Sequence, residues 1–372
     1  MEISLKERNR RYSAIRELMK KEDLDSLLIY GWGDHFYAGN MRYVTNFGTG
    51  GGEQFCVFPL QGEPILISRP TPGLPKFRRV GWVNRFSVTS NLFEEINREL
   101  SRFHRGNRIG TVGIEKGSAP SFLILDLPYR DKLVDATDIF RQLRLVKCPE
   151  EIEKIRVSAS IADKVFNGIS DMAKPGISDF AVYGEVKHII YEMGCDKSFD
   201  IIDAEGAKMN HSYPTGDILE AGSTLAIEIS PCYKGYYAQL PVAIPVGGCP
   251  KHVKEMVSVW KKAIEAGVNV LRSGVKVCDV YNTMEGVIKK HGYAMLARAG
   301  HSLGLDLVDF FSVTESEDTE LKTGMTLVLH PNVQLPDSRE GDGIFMGYTY
   351  LITETGAEKL NKVNLMTPFG DD

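Results

Sequence analysis

Three histidines and one glutamate stand in sequence contexts that suit chemistry better than packing. His211 precedes a polar turn in NHSYPTGD, and Glu228 interrupts the apolar segment TLAIEI. His301 follows a glycine in AGHSLG, and His330 ends the apolar segment TLVL directly before a proline. An imidazole exchanges protons near neutral pH, and two histidines with one carboxylate also suit a single iron, zinc or manganese ion. The four side chains therefore predict acid–base catalysis or metal binding in one cleft.

Each of these residues also has a plainer interpretation. A histidine in a polar turn is commonly just solvated, Glu228 can face water from an edge strand, and His330 can be a core histidine bonded to the backbone. Tyr236, Tyr237 and Tyr348 can donate phenolic hydrogen bonds to a substrate. Aromatic residues in strands, however, most often serve core packing.

The elements of the first part of the chain predict an α/β domain. Residues 5–22 have apolar side chains at helical spacing, and the buried-strand pattern DSLLIYG follows them. QFCVFP and EPILIS then read as a hairpin, and a helix over Leu92–Phe103 precedes the strand pattern RIGTVGIE. Helices and strands thus alternate over this part.

The composition changes near Lys147, where a second domain begins. A helix starts after Pro149 with two acids in its first turn, where the helix dipole favours negative charge. Three short apolar stretches alternate with this and later helices: 225–229, 326–329 and 348–352. The pattern predicts an α+β domain. We place the domains at residues 1–147 and 148–372.

The composition excludes several classes of protein. The chain has 372 residues, of which 25% are charged and 43% hydrophobic, and its net charge is −5. It contains no apolar run near the ~18 residues of a membrane helix and no signal peptide. The six cysteines form no CxxC pair, which argues against a zinc knuckle or a disulfide framework. No basic block alternates with aromatic residues. We expect a cytoplasmic protein that binds a small molecule and neither nucleic acid nor membrane.

Several motifs resemble the creatinase/prolidase/methionine aminopeptidase superfamily, the M24 peptidases. They occur in the family's order and spacing over nearly the whole chain: RLVKCPEEIEKIR, NHSYPTGDILEAGSTLAIE, KGYYA, AGHSLG, GMTLVLHPNV and YLITETGAEKL. The resemblance implies a C-terminal pita-bread domain, which is the creatinase/aminopeptidase fold. It also implies a smaller N-terminal α/β domain of the creatinase type.

The resemblance also assigns positions to the family's metal ligands. Metallopeptidases of the family hold two ions with two aspartates, a histidine and two glutamates. These positions correspond here to Glu228, Gln239, His301, His330 and Gly347. Because Gln239 and Gly347 carry no ionisable group, we expect the dinuclear site to be absent and no cofactor to be bound. The alternative is a single divalent ion, iron, zinc or manganese, held by Glu228, His301 and His330.

The resemblance to creatinase implies hydrolysis or elimination at a C–N or similar bond of a small polar metabolite, by metal-independent catalysis. His211 would be the general acid and base, while Glu228, His301 and His330 would orient the substrate. We expect a homodimer in which the N-terminal domain of one subunit lies near the cleft of the other. The predicted substrate contacts are Tyr236, Tyr237, Gln239, Tyr348 and Glu53.

Three other functions remain open at this point. One is a mononuclear metalloenzyme on the same fold. Another is a metallopeptidase of the Xaa-Pro dipeptidase type, which requires divalent metal. The third is a non-catalytic protein that uses the pita-bread cleft only for binding. Fold alone does not decide among them.

Overall fold

The chain divides into two compact units, Met1–Leu145 and Val146–Asp372, beside the 147/148 boundary that the change of composition predicts. The computed structural model describes residues 3–32, 35–48, 52–70, 77, 79–114, 128–205, 212–295, 298–336 and 343–370. Among these residues, no helix combines the length and the apolar character that crossing a bilayer requires. All six cysteines are free thiols.

The N-terminal unit is built on a six-stranded sheet with the order β4-β3-β2-β1-β5-β6. Its strands are β1 (Leu24–Gly31), β2 (Gln54–Pro59), β3 (Ile65–Ser68), β4 (Arg85–Val88), β5 (Arg108–Val112) and β6 (Leu133–Asp135). The helices described in this unit include α1 (Leu5–Lys21), α2 (Gly39–Thr45), α3 (Leu92–Phe103) and α4 (Thr137–Gln142). β1 pairs antiparallel with β2 and parallel with β5. All eight residues of β1 are buried, as expected for a central strand.

Four helices of the C-terminal unit accompany several small antiparallel sheets. The helices are α5 (Pro149–Ser170), α6 (Asp179–Glu192), α7 (Lys251–Val270) and α8 (Val277–Lys290). α5 begins as predicted, with Pro149 in its first turn and the Glu151 carboxylate accepting a hydrogen bond of 2.9 Å from the Cys148 N–H. Ser178 caps α6 by accepting from the Ala181 N–H.

Two of these sheets position the candidate site. One has the order β12-β9-β8, and the other has the order β13-β14-β17-β18. The strands of the first are β8 (Ile201–Asp203), β9 (Thr224–Ile229) and β12 (Leu240–Pro245). Those of the second are β13 (Gly300–Ser302), β14 (Thr326–Leu329), β17 (Tyr348–Ile352) and β18 (Ala357–Lys359).

Short strands complete the unit. They are β7 (Lys197–Ser198), β10 (Pro231–Tyr233), β11 (Tyr236–Tyr237), β15 (Asn332–Gln334) and β16 (Gly343–Phe345). The three predicted apolar stretches are therefore β9, β14 and β17, almost to the residue.

Candidate functional site

Glu228 and Gln239 are joined across two neighbouring strands. Glu228 lies in β9, opposite Pro241 of β12 and Ile201 of β8. The Gln239 Nε2 group donates a hydrogen bond of 2.8 Å to Glu228 Oε2. The main chain of Gln239 is fixed as well, because its N–H donates to Thr349 Oγ1 and its carbonyl accepts from the same hydroxyl, at 3.0 and 2.8 Å. The side-chain pair is therefore held by both sheets.

His301 and His330 lie side by side on the second sheet. His301 pairs with Val328 of β14, and the N–H of His330 donates to the Ala299 carbonyl. Their ring centroids are 5.5 Å apart, and both residues are buried. On its other side the His330 ring packs against Phe345, at 4.7 Å. The structure thus brings together two of the three predicted histidines.

The environment of His301 favours a neutral imidazole. Burial lowers its pKa well below the usual value, and the neighbouring His330 and Arg298 lower it further. The Nδ1 atom lies 3.1 Å from the Ser302 carbonyl oxygen, which can only accept a hydrogen bond. This partner assigns the proton to Nδ1 and the lone pair to Nε2. His301 can therefore accept a proton or bind a cation through Nε2.

Glu228 is the most perturbed acid of the site. Burial raises its pKa to about 7, and the Asp200 carboxylate adds to the shift while Arg298 opposes it. Asp200 is itself fully buried, and its carboxylate accepts hydrogen bonds from the Ser230 N–H at 2.8 Å and from Lys187 Nζ at 2.6 Å. The pKa of Glu228 is therefore shifted toward neutral pH, which is where a general acid or base works best.

Position 347 has no room for a side chain. A Cβ atom added to Gly347 would lie 2.6 Å from His330 Cβ and 2.7 Å from His330 Cα, and closer still to the Leu329 carbonyl oxygen. Backbone atoms cannot rotate away, unlike the end of a flexible side chain. The carboxylate that the family resemblance assigns to this position is therefore excluded by the packing of β14 against the start of β17.

A buried ion pair supports the loop that follows His301. Lys147 Nζ lies 2.9 Å from Asp309 Oδ2, and the two side chains are 1% and 2% exposed. The Lys147 N–H donates to the Gly324 carbonyl, and Ser302 Oγ accepts from the N–H groups of residues 310 and 311. This pair was not predicted from the sequence. The available signal was a lysine directly after the apolar residues Leu145 and Val146, at the start of the second domain.

Two of the tyrosines predicted to contact substrate use their hydroxyls within the protein. The Tyr236 hydroxyl donates to Glu151 at 3.2 Å, and the Tyr348 hydroxyl accepts from the Leu365 N–H at 2.9 Å. Tyr237 is completely buried. In the N-terminal unit, Glu53 lies 3.5 Å from Arg69. The substrate contacts of all four stay predictions.

His211 lies outside the described residues. The segment directly after it is well held, however. Ser212 exchanges two backbone hydrogen bonds with Ile202, and the Asp179 carboxylate accepts from the N–H groups of Thr215 and Gly216 at 2.8 and 2.9 Å. The catalytic role of His211 also stays a prediction.

Comparisons with known proteins identify related sequences for both units. The model of metallopeptidase family M24 matches residues 153–354, and that of the creatinase/prolidase N-terminal domain matches residues 11–146. An Xaa-Pro dipeptidase of Pyrococcus horikoshii is 24% identical over 365 residues, 95% of this chain and 97% of that protein. An Xaa-Pro dipeptidase of Pyrococcus furiosus is 26% identical over 230 residues, 60% of this chain and 65% of that protein.

The fold comparison agrees with the sequence matches. The crystal structure of the prolidase from Pyrococcus horikoshii has a TM-score of 0.82 to this chain at 21% identity, over 95% of this chain and 99% of that one. The predicted fold is confirmed, with a C-terminal pita-bread domain and an N-terminal creatinase-type domain.

The same matches correct the prediction about cofactors. A match to a metallopeptidase family, with Xaa-Pro dipeptidases as relatives, overturns the expectation of an enzyme without a cofactor. The residues do not fit the family's two-ion set, because Gln239 is uncharged and position 347 excludes a carboxylate. Nor do the ligand atoms of Glu228, His301 and His330 all lie within 4.8 Å of one another, so these three do not form a compact single-ion site in this arrangement.

Proposed function

The chain belongs to metallopeptidase family M24, and from that premise we propose that it is a hydrolase cleaving the C–N bond of short peptides. Xaa-Pro dipeptides are the first substrate class to test, because a relative matched along 95% of this chain is an Xaa-Pro dipeptidase. The observation that carries the proposal is that one unit holds both a carboxylate fixed by Gln239, with its pKa raised by burial, and a buried imidazole beside His330.

These two groups suit the proton transfers of amide hydrolysis. The reaction removes a proton from water and delivers one to the leaving nitrogen. Glu228, with a pKa of about 7, can accept the first proton and return it to the nitrogen. His301 offers the lone pair of Nε2 to a polar group without adding charge. Such a positioned acid–base group typically contributes about 10²- to 10⁴-fold in rate.

The metal complement differs from that of the family pattern in this proposal. We infer that the two-ion set is absent and that fewer ligands hold any ion, since a bridged pair of ions needs carboxylates that positions 239 and 347 do not supply.

The test is hydrolysis of a dipeptide panel by the purified protein, with Mn²⁺ or Co²⁺ added and metal content measured in parallel. We expect cleavage of Ala-Pro or another Xaa-Pro dipeptide, and a loss of at least about 100-fold in Glu228→Gln and His301→Ala. His291→Ala is the matched control, because His291 is exposed at the end of α8. If no dipeptide is cleaved under any metal condition, the proposal is wrong.

A second candidate is cleavage of a C–N bond in a small polar metabolite that is not a peptide. The uncharged Gln239 and the closed position 347 favour it, because they set this cleft apart from the ligand set of the peptidases. Guanidino and amide compounds in the same panel test it. Turnover of one of these by wild type, lost in His211→Ala, would support this candidate. The homodimer remains a proposal that sedimentation analysis checks.

A further inference from the structure

The Gln239 side chain contains a buried hydrogen-bond acceptor that the protein does not use. Gln239 is 2% exposed, and its Nε2 group donates to Glu228 Oε2. This hydrogen bond turns the amide nitrogen toward Glu228 and the amide oxygen away from it. That oxygen, Oε1, is buried and accepts a hydrogen bond from no group in the described part of the chain.

The Gln239 oxygen cannot easily turn to find a donor. Thr349 holds the main chain of Gln239 through two hydrogen bonds, and Glu228 holds the nitrogen of its side chain. A buried carbonyl oxygen without a donor is costly, so folded proteins rarely leave one in this state. The arrangement is explained if a bound molecule supplies the donor.

The charges around the Gln239 oxygen indicate which kind of molecule fits. Glu228 is the nearest acid and is directly bonded to Gln239, so a donor that carries positive charge is favoured at this place. A second metal ion is a poorer occupant. It would need a carboxylate where Gln239 is neutral, and another at position 347, where no side chain fits.

We propose that Gln239, with the negative charge of Glu228 behind it, binds the N–H groups of an amine-bearing substrate such as the α-ammonium of a short peptide. The amine occupies the place that the family resemblance gives to a metal-binding aspartate. This inference rests on the proposed function and names Gln239 as the residue that selects substrates with a free amine.

The test compares the binding of two probes that need no turnover. One is Ala-Pro with its peptide bond reduced to CH₂–N, and the other is the same compound with its α-amine acetylated. By isothermal titration calorimetry, we expect wild type to bind the free-amine probe at least about 10-fold more tightly. Gln239→Met removes the acceptor at similar length and should abolish this difference. Gln239→Glu keeps an acceptor and should retain it.

The metal content of the same samples is a second readout. After saturation with Mn²⁺ and desalting, wild type is expected to hold no more than one ion per chain. Equal affinities for the two probes would overturn the inference and leave a buried water as the occupant. Two ions per chain would also overturn it.

Failure of this inference is distinguishable from failure of the proposed function. If the probes show the amine preference and no dipeptide is cleaved, the peptidase proposal fails and the inference stands for another amine. If dipeptides are cleaved and acetylation has no effect on affinity, the peptidase proposal stands and the inference about Gln239 fails.

Discussion

Adding a methyl group at position 347 should destabilise the C-terminal unit strongly. In Gly347→Ala the new Cβ would meet two atoms of His330 at 2.6 and 2.7 Å and the Leu329 carbonyl oxygen at a shorter distance. Relief requires the end of β14 to move away from the start of β17. That movement strains two neighbouring hydrogen bonds, from Gly347 N–H to the Pro241 carbonyl and from Trp260 Nε1 to the Met346 carbonyl.

The magnitude follows from these two terms. Forcing an extra carbon into a packed core costs typically ~1–3 kcal/mol. Each weakened hydrogen bond adds about 1 kcal/mol. We therefore expect the free energy of unfolding to fall by about 3 to 5 kcal/mol in Gly347→Ala. Gly347→Glu, which would restore the carboxylate of the family pattern, should be at least as destabilising and should not increase the metal content.

Urea unfolding followed by tryptophan fluorescence measures this effect. Trp260 is the only tryptophan in residues 146–372, and its hydrogen bond to residue 346 makes it a local reporter. The matched control is Gly286→Ala in α8, where the position is exposed and an added Cβ would meet no atom of another element within 4 Å. Because alanine forms helices better than glycine, this variant should raise the free energy of unfolding by about 0.5–1 kcal/mol. The steric reasoning is refuted if Gly347→Ala is as stable as wild type with unchanged Trp260 emission.

Three further perturbations test the surroundings of the site. Burial raises the pKa of Glu228 from 4.5 to about 7 in the folded protein, so its ionisation lowers stability as pH rises through that window. In chelator-treated protein, Glu228→Gln should therefore raise Tm relative to wild type at pH 8 and not at pH 4. A difference in Tm that does not depend on pH would contradict this. Lys147→Met should lower the free energy of unfolding in urea by about 3–5 kcal/mol, and the double variant Lys147→Met/Asp309→Leu should regain most of this loss. If the losses of the two single variants simply add, the buried ion pair is not the cause. Asp179→Ala should speed amide hydrogen exchange at Gly216, and unchanged protection would show that the carboxylate does not hold this turn.

The elements of the C-terminal unit were predictable because their signals are local. The apolar runs of β9, β14 and β17 are short, bounded by turn residues and separated by helices with clear starts. Glu228, His301 and His330 stand out for the same reason, as polar residues in or beside apolar runs. Local pattern is sufficient wherever neighbours in sequence determine the outcome.

The roles of the tyrosines were not predictable from this pattern. All five residues of β17 are buried, so the alternation of polar and apolar residues that assigns a face is missing. In the structure, Thr349 bonds to Gln239 while Tyr348 and Tyr350 point the other way along the pleat, and Tyr348 packs near Trp260. For a strand that is buried on both faces, the sequence therefore does not show which residues face the site.

Long-range pairs were hidden for a different reason. Lys147 and Asp309 are 162 positions apart, and no sequence pattern near either residue indicates that the two are in contact. The closed space at Gly347 is likewise set by Leu329 and His330, which come from another strand. Such contacts depend on how strands pack, and one sequence carries no direct record of that.

Neither of the single changes Gln239→Asp and Gly347→Glu is expected to restore the family's pattern of metal-binding carboxylates. Gln239→Asp would place a second acid beside Glu228, whose pKa is already about 7, and like charges would raise the proton affinity of the pair further. Gly347→Glu would clash with the backbone of β14. Neither change alone restores a bridging carboxylate in the right place, because the first lacks its partner and the second lacks space. A neutral hydrogen-bonding residue at position 239 is therefore more favourable for stability than an acid that has no cation to balance its charge.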